Sequence, residues 1–196
     1  MANFDSARLK HISKAKELEN LLSFYSYSNK ADAARTEERL KELLVKNLRD
    51  SKGAIFNVIQ FVFEIQEDKT LDRIFVPLRD EIDILNDEVK VSHIDWKDLP
   101  ERFWELVIAH DLTLVDGSTN LTELAAQMEK LVSSYKKSGD GKIFDEKGIG
   151  RTKKNMESLL DGLRRAFNER DAIFRLSEID LDQDFEKVRK KIKESI

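Results

Sequence analysis

Apolar residues recur at alternating spacings of three and four along most of the chain, the interval that lays a continuous stripe down one face of an α-helix. Leu44, Leu48, Ser51, Ile55, Val58, Val62 and Ile65 keep a heptad beat, and Phe56, Ile59 and Phe63 widen the stripe in its second half. The pattern predicts a helix over 31–66 whose far end is enclosed on more than one side. At ~1.5 Å per residue it would be about 50 Å long, more than the diameter of a compact small domain, so an elongated bundle is expected.

The same beat predicts a first helix over 7–27, with His11, Ala15, Leu18, Leu22 and Tyr25, and a third over 70–90, with Leu71, Phe75, Leu78, Ile82, Leu85 and Val89. Pro77 should kink the third helix or mark its true first turn. Asp98-Leu99-Pro100-Glu101 has a capping residue, a proline and an acid in the order that opens a helix, which runs to about Val115. Asn120-Leu121-Thr122-Glu123 reads as a further capping box, followed by Leu124, Met128, Leu131 and Tyr135. Residues 136–150, with Gly139, Gly141, Gly148 and Gly150, read as a loop. Met156, Leu160, Leu163, Phe167 and Phe174 then form a stripe in which Arg170 takes one beat. Leu181, Phe185, Val188 and Ile192 mark the last helix, whose Lys187, Arg189, Lys190, Lys191 and Lys193 suit the negative end of a helix dipole.

The expected fold is therefore all-α: an elongated helical bundle of about six to seven helices with coiled-coil-like packing. Residues 1–138 form the bundle, 139–150 the Gly-containing loop and 151–196 a C-terminal helical pair on the same bundle, in one domain. Composition agrees: 37% of the 196 residues are charged and there are seven Gly and two Pro, the usage of long helices. The absence of Cys excludes disulfides and thiolate metal sites and suits a reducing compartment. Without a basic, apolar leader at Met1, a cytoplasmic location is expected. The most apolar segment, 54–65, is interrupted by Asn57, Gln60 and Glu64 and falls short of a bilayer of about 30 Å.

The net charge of -4 is unevenly spread, with fifteen acidic against six basic side chains in 64–116 and sixteen basic against thirteen acidic in 136–196. The halves can attract each other within the chain or between copies, while the overall sign disfavours nucleic acid as main partner.

Glu64-Ile65-Gln66-Glu67, then twelve residues, then Asp80-Glu81-Ile82-Asp83 places two acidic pairs at helical spacing, and hard cations want clustered carboxylates. The arrangement resembles the paired acidic motifs of the all-α nucleotide pyrophosphohydrolases, with Asp80 where that family has Glu. The resemblance covers some twenty residues and implies magnesium held by Glu64, Glu67, Asp80 and Asp83 against a nucleotide's phosphates. The plainer reading of Asp80, Asp83 and Asp87 is a solvated face opposite Leu78, Ile82 and Leu85. His11, His93 and His110 share no helix face at metal spacing. Gly139-Asp140-Gly141 and Gly148-Ile149-Gly150 lack the strand context of a phosphate loop and read as connectors. The basic run of Lys147, Arg151, Lys153, Lys154, Arg164 and Arg165 is diluted by Glu157 and Asp161 and reads as a solvated face sooner than as a nucleic-acid or anionic-membrane surface.

Phe24, Tyr25 and Tyr27 cluster at the end of the first helix, and Trp96 and Trp104 flank the start of the fourth. They are the binding candidates, since aromatics anchor interfaces and cores alike. Sustained heptads without convergent polar groups favour a non-enzymatic protein-protein interaction or scaffold module, self-associating or pairing with another helical protein. A magnesium-dependent hydrolase through the four carboxylates ranks second, and nucleic-acid or anionic-surface binding through the basic C-terminal third ranks third.

Overall fold

The computed structural model describes residues 13–65, 72–93, 99, 101–134, 136–138, 141–143, 145–176 and 185–194. It is an all-α fold of packed helices. The described elements are α1 (13–22), α2 (Lys30–Ile65), α3 (Asp72–Val91), α4 (Glu101–Ser133), β1 (Lys136–Ser138), β2 (Gly141–Ile143), α5 (Glu146–Arg175) and α6 (Phe185–Glu194). Among the described residues no helix is long and apolar enough to cross a membrane.

Four boundaries differ from the sequence reading. Helix α1 stops at 22, because Ser23 takes a φ of 59°, the left-handed turn that ends helices. Phe24, Tyr25 and Tyr27 therefore follow the helix in a strap rather than riding on its last turn. The strap ends at Asn29, whose Oδ1 accepts the Ala31 and Asp32 amides at 3.0 Å each and so caps α2.

Helix α4 runs unbroken through Gly117 and Asn120, where two helices were expected. The core stripe Leu114, Val115, Ser118, Leu121, Ala125, Met128, Val132 continues across the supposed break, and its burial outweighs the roughly 1 kcal/mol that a helical Gly costs.

The stretch read as a loop holds a small antiparallel hairpin, with Lys136 opposite Ile143, Lys137 opposite Lys142 and Ser138 opposite Gly141. Helix α5 then starts ten residues earlier than its apolar stripe suggests. Asp145 Oδ1 accepts the Gly148 amide at 2.9 Å, so Gly148 and Gly150 lie in a capped helical turn. A Cβ on Gly148 would stand 2.3 Å from Asp145 Oδ2: this glycine makes room for the cap. Pro77 sits inside α3, past the first turn, and its missing N–H leaves the carbonyl four residues earlier without its helical donor.

The chain divides into two compact units, one of 1–43, 92–116 and 163–196, the other of 44–91 and 117–162. In the second unit α2 and α3 form a hairpin around Leu48, Ile55, Val62, Phe75, Ile82 and Val89, all buried. Lys52 Nζ bridges Asp83 Oδ1 at 2.6 Å on its outer side. Alongside α2, α4 runs parallel in fixed register. Asn47 Nδ2 donates to Ser118 Oγ at 3.0 Å, the Ser51 and Thr122 hydroxyls are 3.2 Å apart, and Asn57 Nδ2 donates to Glu129 Oε1 at 3.0 Å. Buried small side chains there let the two backbones approach until the Thr122 hydroxyl reaches the Asn47 carbonyl at 3.1 Å.

In the first unit Leu99, Phe103, Val107, Ile173, Phe174 and Ile192 form one buried cluster, with Tyr27 and Trp104 packed against it. Ile192 brings α6 into this core.

Candidate functional site

The strap carries two of the aromatic candidates into the first unit. The Ser26 amide donates to Thr36 Oγ1 at 2.9 Å, and the Thr36 hydroxyl returns a bond to the Ser26 carbonyl at 2.8 Å. Fixed in this way, Tyr25 donates to Asp111 Oδ2 at 2.8 Å. The Tyr27 hydroxyl donates to Glu37 Oε1 at 2.7 Å, lies 3.1 Å from Asp111 Oδ2 and accepts from Arg170 Nη2 at 2.6 Å. Arg170 also bonds Asp111 through Nε and Glu37 through Nη2. Trp104 stacks on the Tyr27 ring at 4.9 Å with 27° between planes, and Phe174 meets Trp104 edge-on at 6.1 Å.

Arg170 and Asp111 are 2% and 0% exposed, so one guanidinium faces two carboxylates with almost no water. Burial pushes the Asp111 carboxyl up; Arg170 opposes this and Glu37 adds to it. Burial disfavours the charge on Arg170, but Asp111, Tyr27 and Glu37 outweigh it and hold the guanidinium protonated. Such a network is costly to desolvate and costlier to break. It ties the strap to three helices, α2, α4 and α5, and it can hold protons and orient phenols.

Both phenols are pushed well above the tyrosine value of 10.0, first by burial; at Tyr25 the neighbouring Asp111 adds to this, and at Tyr27 Arg170 works against it. A folded value above the unfolded one means that the contribution is whole below pH 10.0 and is lost as the pH rises toward the folded value. Between pH 10.0 and the folded value, stability should fall by about 1.4 kcal/mol per pH unit for each buried phenol. Urea titrations across this alkaline range should show the slope halved in Tyr25→Phe. An unchanged slope would mean that Tyr25 ionises freely in the folded state.

The other sequence candidates are scattered. The Arg35 guanidinium lies over the Phe24 ring at 4.2 Å, while Trp96 and Glu67 fall outside the described residues. Glu64 is exposed on α2, Asp80 pairs with Arg79 at 2.6 Å and Asp83 is taken by Lys52. With Lys52 abreast of Asp83, Glu64 lies twelve residues, about 18 Å, further along the hairpin. Among the described residues no group of three or more His, Asp or Glu side chains is placed to hold a metal ion. His110 Nε2 lies 3.7 Å from Glu169 Oε2, and His93 is exposed; His11 is outside the described residues. Lys153 is paired with Glu157, and Arg151, Lys154 and Arg165 are exposed.

Exposed apolar side chains form the second feature, on the outer side of the α2–α3 hairpin. Phe56 is 45% exposed, Phe63 71%, Ile84 53% and Val91 81%. Among the described residues the enclosure expected for the end of α2 is thus absent on this side, because Ile55, Val58 and Val62 already fill its inward face and Phe56 and Phe63 point about a quarter of a turn or more away from them. Between α4 and α5 a groove of about 490 Å³ has Leu124 and Leu159 among its lining, with Asn120, Gln127 and Asn155.

Compared with protein-family models, with curated proteins and with solved structures, the chain matches none.

Asp111, Glu37 and Arg170 were not singled out by sequence reasoning as a site. Their signal was present: Arg170 stands on a core beat between Phe167 and Phe174, and Asp111 between Val107 and Leu114. Each is a charge where the helical period calls for an apolar side chain.

Proposed function

We propose that this chain is a helical protein-protein interaction module, and that it works through the outer face of the α2–α3 hairpin. The observation that carries the reading is the placement of Phe56 and Phe63, two large aromatics one heptad apart on a long helix whose inward face is already packed. Scattered single apolar residues are ordinary on a surface, but a stripe at heptad spacing is what a pairing helix presents. The buried Arg170 network belongs to the same reading as scaffold, holding the strap in one arrangement.

Two readouts test it together: light scattering coupled to gel filtration over a concentration series, and anisotropy of a labelled amphipathic helical peptide with uncharged flanks. Either self-association or peptide binding is expected, lost in the Phe56→Ser, Phe63→Ser double variant. A chain that remains monomeric and takes up no such peptide overturns the reading.

A further inference from the structure

Where α4 turns through the β1–β2 hairpin into α5, the local charge runs against that of the chain. Residues 130–157 hold eight basic against four acidic side chains, while the whole chain stands at -4. Two of those acids are already engaged: Glu157 pairs with Lys153, and Asp145 accepts the Gly148 amide. Helix α5 exposes Lys147, Arg151 and Lys154 at i, i+4 and i+7, a single stripe, and α4 exposes Lys130. Among the described residues none of these four side chains forms an ion pair or a hydrogen bond.

The four cations stand at one end of the groove of about 490 Å³ between α4 and α5. Glu123 and Ser158 both line it; Lys130 lies one heptad on from Glu123 and Arg151 one heptad back from Ser158. On antiparallel helices both steps lead toward the hairpin. At the other end the charge reverses, with Glu123 in the wall and exposed Asp161 one heptad past Lys154. Leu124 and Leu159 are half-buried in the lining, and the side-chain amides of Asn120, Gln127 and Asn155 bond nothing among the described residues.

We infer that this groove is a second docking surface, and that its occupant is an acidic amphipathic helix of a partner protein. The incoming helix sets apolar side chains on Leu124 and Leu159 in the helix-in-groove mode. Its Glu or Asp residues meet Lys130, Arg151 and Lys154 and keep clear of Glu123 and Asp161, so its acidic end lies toward the hairpin. Three observations set this occupant apart from a phosphate surface. No aromatic ring lines the groove for a base to stack on. Glu123 and Asp161 repel a nucleic-acid strand running on along the helices. None of the large apolar side chains exposed among the described residues lies on α4 or α5, so the patch has no wedge for an anionic membrane. The surface shares no residue with the Phe56 and Phe63 face, and either reading can fail alone.

The test uses the full chain and three labelled peptides of about 20 residues, long enough to hold a helix, with one shared apolar face and Glu, Gln or Lys flanks. The Glu-flanked peptide is expected to bind about tenfold tighter than the Lys-flanked one, with the gap closing as salt rises. Arg151→Glu with Lys154→Glu should abolish or reverse that order. Lys46→Glu with Arg49→Glu, which removes two exposed cations of α2, should leave it in place and so separate the groove from net charge. Phe56→Ser with Phe63→Ser should also leave it in place. Far-UV circular dichroism of each variant verifies that these exposed substitutions leave the helices intact. Equal binding of the Glu and Lys peptides, no binding of any peptide, or an order that survives Arg151→Glu with Lys154→Glu overturns the inference. A preference lost with Phe56 and Phe63 overturns it too, placing the peptide on the other face. So does tighter binding of a single-stranded oligonucleotide or of phosphatidylserine vesicles than of the Glu peptide, which would assign the cations to phosphates.

Discussion

Replacing Arg170 by Met is expected to destabilise the protein by about 3–5 kcal/mol, the usual cost of removing one partner from a buried ion pair. Met nearly fills the volume of the Arg stem, so the loss is electrostatic. Asp111 keeps its place at 0% exposure with its cation gone, beside Glu37 and two phenols. The pH dependence identifies the cause. Burial and Glu37 already push Asp111 up against the pull of Arg170, so without that cation its carboxyl rises further. A carboxyl with a raised folded value contributes most below its unfolded value of 3.8 and loses that contribution as the pH rises. The deficit of Arg170→Met should therefore be largest at neutral pH and shrink toward mildly acidic pH, read from urea midpoints. Adding Asp111→Leu should recover much of the loss, since a well-packed apolar replacement of a buried pair is often neutral. A single variant within 1 kcal/mol of wild type, as an order of magnitude, would mean that water reaches the network.

Phe103→Ala should cost a similar amount, about 3–5 kcal/mol, as transfer energy plus the cavity left behind. Phe103 is 0% exposed in the cluster that holds Ile173, Phe174 and Ile192. The loss should be felt first in α6, whose ten residues are too few to stay helical without packing. Limited proteolysis should then cut near the C-terminus before the midpoint of global unfolding falls into reach. If Phe103→Ala and wild type are cut alike, Ile192 does not depend on this cluster.

The all-α class was legible because burial is periodic: Leu44, Leu48, Ser51, Ile55, Val58 and Val62 were read from spacing, and all are buried. Even Ser51 kept its place in the stripe, where it serves the small-residue contact with α4. Boundaries were less legible. Asn120 and Glu123 have the chemistry of a cap, but a cap is local and Leu121 and Ala125 are held by tertiary burial, which wins. Phe56 and Phe63 were given a second enclosing wall because aromatic residues usually have one; periodicity shows which residues share a face, not whether anything covers it. The Arg170 network was least legible. Glu37, Asp111 and Arg170 come together across 133 positions between Glu37 and Arg170, and one sequence contains no sign of which isolated charges on core beats will meet. Tyr25, Tyr27 and Trp104 were selected as aromatics, and their hydroxyls and stacking surfaces gather at that network.

The seam between α2 and α4 works as a key as well as a packing surface. Leucine stripes are nearly degenerate under a slide of one heptad, since one apolar side chain replaces another. Asn47 is not, because its amide reaches across the seam to the Ser118 and Thr119 hydroxyls at 3.0 and 3.4 Å, and the Thr122 hydroxyl reaches back to the Asn47 carbonyl at 3.1 Å and the Ser51 hydroxyl at 3.2 Å. A slide by one turn would bury the Asn47 amide without those partners, at about 1–3 kcal/mol, while the Ser51 and Thr122 hydroxyls would keep the Asn47 and Ser118 carbonyls of their own helices. The observed pairing of α2 with α4 is thereby set apart from its neighbouring registers by one buried amide that leucine stripes alone would not supply.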